Sequence, residues 1–290
     1  MEYMILYILL GAVIGVMSGM FGIGGGLFLT PILLLTGVPP VEAITTSLFY
    51  TMGTSISGMA GHLRAKNTNV RNSIIIGIIG VAGTQVAQPL VLLSEKRGYD
   101  DTIIPLLYIV LLLYFAYSML NKGKKSQAGA DPSGRNRSIW SLVLIGFTGG
   151  FVSSALGVGG GFIIVPLLIS IYGESAKRAV GTSIVGVLMI VTAGFIGYAF
   201  NVHFDLKLAI VLLAGGLIGA QGGVKVTNYF TSNEIKFMLG LLYLFTTVSV
   251  ALKLFNQSIA GLGIITLFTL YVFIRILIRM FSKTKIRENE

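Results

Sequence analysis

The sequence predicts an all-α polytopic membrane protein built from two inverted-topology repeats, and composition, an internal duplication and the placement of basic residues carry that prediction. Of 290 residues only 11% are charged and 54% are hydrophobic, whereas soluble domains carry about a quarter charged residues. Apolar stretches recur from Tyr3 to Met280, and a helix needs about 20 such residues to cross roughly 30 Å of hydrocarbon. A soluble domain of this length could not solvate that surface.

The duplication is the second observation. Gly15-Val-Met-Ser-Gly-Met-Phe-Gly-Ile-Gly-Gly-Gly26 returns as Gly150-Phe-Val-Ser-Ser-Ala-Leu-Gly-Val-Gly-Gly-Gly161. Pro31 then answers Pro166. After one inserted residue Ala43 answers Ala179, Thr46-Ser47 answers Thr182-Ser183, and Gly83-Thr-Gln85 matches Gly219-Ala-Gln221. A period of about 135 residues is too long for a solenoid and suits the duplicated half of a transporter.

Apolar runs and polar breaks define five segments per half. The first half reads 3–20, 27–37, 43–61, 72–93 and 102–120, and the second 139–156, 161–172, 178–200, 206–224 and 235–253. A last segment, 258–280, has no partner. The chain therefore divides into a first repeat over 1–120, a basic linker over 121–138, a second repeat over 139–254, and an extra helix with a basic tail over 255–290. Segments 27–37 and 161–172 are too short to span. They read as half-helices, each entered through a glycine-rich break.

Basic residues are the third observation. If each half-helix turns back toward the side its predecessor came from, one side collects Arg64, Lys66 and Arg71, the linker from Lys122 to Arg137, Lys177 and Arg178, Lys225 and Lys236, and the tail. Only Lys96, Arg97, Lys207 and Lys253 fall on the other. The positive-inside rule then puts the N-terminus outside and the C-terminus in the cytoplasm, and makes the halves antiparallel in a cell membrane.

The net charge of +10 matches this loop pattern and lacks the groove or aromatic platform of a nucleic-acid binder. The absence of cysteine removes disulfides and thiolate sites. The first apolar run has no basic flank or evident cleavage site and reads as a retained helix.

Gly22, Gly24, Gly25 and Gly26, with Gly157, Gly159, Gly160 and Gly161, are the sharpest local signal. Glycine costs a helix about 1 kcal/mol relative to alanine, so such clusters inside apolar runs need a reason. Close helix packing is one. The other is a break whose backbone N–H groups, lying at a helix N-terminus, favour an anion. A dinucleotide site is excluded, since no strand precedes either loop and no acidic residue follows at the required spacing.

These loops, each following a Ser-containing helix end and followed by a run with Pro31 or Pro166, resemble the TauE/SafE or TSUP family of sulfite exporters over nearly the whole chain. The resemblance implies transport of sulfite, sulfonates or related organosulfur anions. The residues themselves imply a small solute, plausibly anionic, with the bilayer and that solute as partners, no cofactor and no enzymatic activity. They leave room for a homo-oligomer.

Polar residues within the spans complete the candidate solute site. Gln85 and Gln221 occupy equivalent positions and need partners in an apolar setting. These are either an interhelical bond or the solute. Thr46 and Ser47, with Thr182 and Ser183, open the helix after each half-helix, and Ser18 and Ser153 lie four residues before each glycine loop. As a set these hydroxyls offer donors to an oxyanion. His62, matched by Tyr198 in the other half, and His203 read as interfacial. Glu42, Glu95, Asp100, Asp101, Asp131, Glu174, Asp205 and Glu234 all fall in connections or at helix ends, so no buried carboxylate relay is expected.

Overall fold

The computed structural model describes residues 2–64, 68–120 and 138–287. Lys66, Asp131 and all of the basic linker but Ser138 lie outside the described residues. Each segment read from the sequence is a helix: α1 (Glu2–Phe21), α2 (Gly26–Leu35), α3 (Pro40–Arg64), α4 (Val70–Lys96), α5 (Asp100–Leu120), α6 (Ile139–Leu156), α7 (Gly161–Leu167), α8 (Ala176–Ala199), α9 (Leu206–Thr227), α10 (Ser232–Leu254) and α11 (Ser258–Arg287). No strand occurs among the described residues. Eight of these helices, all but α2, α3 and α7, are long and apolar enough to cross a membrane.

Side-chain chemistry explains the helix starts. Asn69, Ser138 and Asp205 cap α4, α6 and α9 through their side-chain oxygens, each satisfying an otherwise orphaned amide. Thr231 and Glu234 form a reciprocal capping box on α10. Asp100 and Asp101 stand in the first turn of α5, where the helix dipole favours them. Glu234 also pairs with Arg279 of α11, which ties the last helix to the start of α10.

Two glycine seams organise the bundle. Gly11, Gly15 and Gly19 of α1 lie against the backbone of Leu212, Gly216 and Ala220 of α9, while Gly215, Gly219 and Gly223 lie against Ile8, Ala12 and Val16. The second seam sets Gly146 and Gly150 of α6 against Ile76 and Gly80 of α4, and Gly83 against Phe147. Both pairs run parallel. In lipid, where burial of apolar surface gives helices little reason to associate, small residues that admit close backbone approach supply the packing. Exchanging α1–α5 for α6–α10 turns one seam into the other.

At the centre α3 and α8 pack in opposite directions, Gly58 against Ile184 and Gly194 against Leu48. α3 has 25 residues, enough to span, yet its many Ser and Thr make it less apolar than the eight span-length helices. Its neighbours explain how that is tolerated: only Ile56, Ala60, Leu63 and Arg64 of α3 are exposed, so it needs no lipid-facing surface. The single-residue insertion between the halves is also accounted for. The repeat offset grows by one between Pro166 and Ala179, and Leu168–Tyr172 in that interval is a π-helical turn. One extra residue has been absorbed by widening a helical turn.

Gly219→Leu would drive a side chain into the Ala12 carbonyl and is expected to cost about 3 kcal/mol or to prevent folding. Gly263→Leu, where a Cβ meets nothing within 4 Å, is expected to be neutral. Thermal unfolding in detergent compares them.

Candidate functional site

The two glycine loops meet in the middle of the molecule. Gly26 lies against the Gly157 carbonyl and Val158 of the opposite loop, and Gly161 reciprocally against the Gly22 carbonyl and Ile23. Gly24 and Gly159 have φ of +71° and +90°, left-handed values that L side chains rarely adopt. The space a Cβ would take at either is held by the Thr51 methyl. Thr51 stands near the midpoint of α3, so the loops meet at its mid-depth. Val187 and Val191 of α8 close the other side.

The loops retain hydrogen-bonding capacity. Gly22 and Gly157 donate to the Ser18 and Ser153 carbonyls, each at 2.8 Å. The amides of Gly24, Gly25, Gly26, Val158, Gly159 and Gly160 have no partner among the described residues. Such groups, buried in apolar surroundings, must otherwise find water or a solute. Three tyrosines clamp the scaffold around them: Tyr50 donates to Gly11 at 2.6 Å, Tyr108 to Leu156 at 2.8 Å and Tyr243 to Phe162 at 2.8 Å.

The hydroxyls singled out by the sequence are all buried, in different states. Ser18, Ser47 and Ser153 are fully buried and their hydroxyls have no partner. Thr46 is buried beside Ser47. Ser183, the counterpart of Ser47, instead donates to the Gly22 carbonyl at 2.8 Å and holds the first loop in shape. Thr182 turns away: its oxygen accepts from the Asn69 amide at 3.1 Å and secures the start of α4.

Gln85 and Gln221 are not at the centre. Both are exposed on the outer surface. The seams explain this, because Gly83 and Gly219 face α6 and α1, and a residue two positions further along a helix points roughly the opposite way. Gln88 is buried instead, and its Nε2 donates to the Gly194 carbonyl of α8 at 2.6 Å.

His62 is not interfacial either. It is fully buried, with Nε2 3.1 Å from the Gly19 carbonyl. Tyr198, its counterpart, donates to the Ser154 carbonyl at 2.9 Å, and Gly19 and Ser154 are themselves counterparts. His203 is exposed between α8 and α9.

Sequence reasoning missed Thr51 and Ser55, both buried without a hydroxyl partner. Their signal is the spacing Ser47, Thr51, Ser55, one helical face at intervals of four. A cavity of about 180 Å³ lies elsewhere, between α4, α5 and α6, lined by apolar residues such as Leu90, Ile104 and Phe151. Leucine at Gly25 is a poor probe of the loops, because its side chain would enter the Tyr50 ring and disturb the scaffold.

A bundle of apolar, span-length helices around paired, mutually packed loops defines a polytopic membrane protein. The comparisons then specify which kind. Residues 7–250 match the family model described as "Sulfite exporter TauE/SafE", and the chain belongs to that family. It is 30% identical to "Probable membrane transporter protein MJ0441" of Methanocaldococcus jannaschii, over 81% of this chain and 90% of that one. It is 27% identical to "Probable membrane transporter protein YjnA" of Bacillus subtilis, over 82% and 95% respectively. No solved structure matches it.

Ser183→Ala breaks a buried bond and is expected to lose about 1 kcal/mol of stability. Ser47→Ala removes a hydroxyl that bonds nothing and is expected to be neutral or slightly stabilising. Unfolding midpoints in detergent separate the two.

Proposed function

We propose that the protein carries a small oxyanion, sulfite or an organosulfonate, across the cell membrane by alternating access around the two glycine loops. The observation that carries this reading is the set of unpartnered loop amides at the protein's mid-depth, together with the buried, unpartnered hydroxyls of Ser18 and Ser153 on the helices that lead into the loops and of Ser47 on α3. Neutral donors of this kind hold an anion without a fixed countercharge, so release on the far side stays easy. The α2 N-terminus at Gly26 adds a partial positive charge. The family description supports the sulfur oxyanion class.

The halves act as inverted repeats in this scheme, with the basic ends of the described helices cytoplasmic and the N-terminus outside. The exchange relation between the seams and the opposed directions of α3 and α8 support that arrangement. Rocking one half against the other would open the loop junction to each side in turn. The reading is of a carrier, with chemistry confined to binding and release.

The test is flux in proteoliposomes loaded with sulfite, thiosulfate, taurine or sulfoacetate, with and without a pH gradient. Saturable flux of one solute at carrier rates is expected. Ser18→Ala combined with Ser47→Ala and Ser153→Ala is expected to lower it at least tenfold in folded protein. Single-channel current steps would favour instead a fixed filter of glycine loops. No flux of any of the four would remove the sulfur oxyanion assignment.

A further inference from the structure

The two central helices are counterparts in the duplication, yet their buried faces differ in kind. On α3, Ser47, Thr51 and Ser55 follow one another at intervals of four and His62 falls within the same arc of the helix. All four are fully buried. The three hydroxyls and His62 Nδ1 bond to nothing. Other hydroxyls on α3 are bonded: Thr45 donates to Val41 at 2.8 Å, Thr54 to Tyr50 at 3.1 Å and Ser57 to Leu217 at 2.7 Å. The fully enclosed α3 hydroxyls without a partner share one face.

The matching face of α8 offers nothing. Ser183 is committed to the Gly22 and Val180 carbonyls, Val187 and Val191 replace Thr51 and Ser55, and Tyr198 is committed to Ser154. Leaving a buried hydroxyl unpaired costs about 1–3 kcal/mol, so a run of them on one helix suits a polar partner that comes and goes.

Resting on the transport reading above, we propose that the solute path is one-sided: it runs along α3 past Ser47, Thr51 and Ser55 to His62, with α8 as an apolar wall. Thr51, touching both glycine loops, is the gate position on this path. Its hydroxyl faces the solute and its methyl fills the space between the loops. Ser55 and His62 form the next stations toward the end of the molecule that carries Arg64.

The absence of cysteine makes the test clean. Single variants Thr51→Cys and Ser55→Cys, and their counterparts Val187→Cys and Val191→Cys, are reconstituted in proteoliposomes. Each is exposed to a sulfonate-bearing methanethiosulfonate reagent and to its trimethylammonium analogue. The first pair is expected to label with the anionic reagent at least tenfold faster than the second pair, and to lose flux on labelling. All four label alike once denatured in detergent, which verifies that each thiol is reactive. Thr51→Val, which copies the α8 residue at a conserved shape, is expected to lower flux at least tenfold without changing the unfolding midpoint. Equal labelling of both pairs would overturn the one-sided path, as would unlabelled Thr51→Cys and Ser55→Cys in protein that still carries solute. The α3-only labelling pattern in protein that moves none of the solutes would keep the path and remove the transport reading.

Discussion

Backbone contact between α1 and α9, and between α6 and α4, is the constraint on which the arrangement depends. α1 leads directly into the first glycine loop and α6 into the second, so the depth of each loop is set by the seam before it. Each seam joins helices of opposite halves. Every loop is thus hung from the half to which it does not belong, and neither half could place its own loop alone. The tyrosine clamps on the Gly11, Leu156 and Phe162 carbonyls act on the same framework. Polar atoms here serve position, and the burden of cohesion falls on close packing.

Much of this architecture was legible in the residues. Runs of about 20 apolar positions between charged breaks mark helices unambiguously, because lipid allows few alternatives. The half-helices were legible from their length and the glycines preceding them. What failed was the direction of side chains around a helix. Gln85 and Gln221 looked central because they sit mid-span beside glycine, but depth along a helix says nothing about which face is buried. That face is chosen by the seams, and Gly11, Gly15 and Gly19 do not stand out in a chain with 38 glycines. His62 was misread for the complementary reason. It lies near the end of α3, yet the last turn of α1 covers it there.

The centre of the molecule is polar in an economical way. It holds amides and hydroxyls whose hydrogen bonds are unmade, in place of buried charges whose desolvation would cost several kcal/mol each. For the proposed oxyanion, a charged side chain in place of this array would bind more tightly and release more slowly. The carboxylates are placed to match: Asp100, Asp101, Asp205 and Glu234 all serve helix starts, where they stabilise the fold and stay clear of the loops.

The unlikeness of α3 and α8 has an energetic consequence for the proposed rocking motion. In a molecule with two identical inverted halves, the outward- and inward-facing forms would be copies of one another and equally populated at rest. Replacing Thr51 and Ser55 by valines in one half, and His62 by tyrosine, removes that degeneracy. The two forms then differ in free energy, and a difference of only about 1.4 kcal/mol makes one form tenfold more abundant. Under the proposed rocking, the duplication supplies the machinery for two-way motion, and its divergence gives that motion a preferred resting posture.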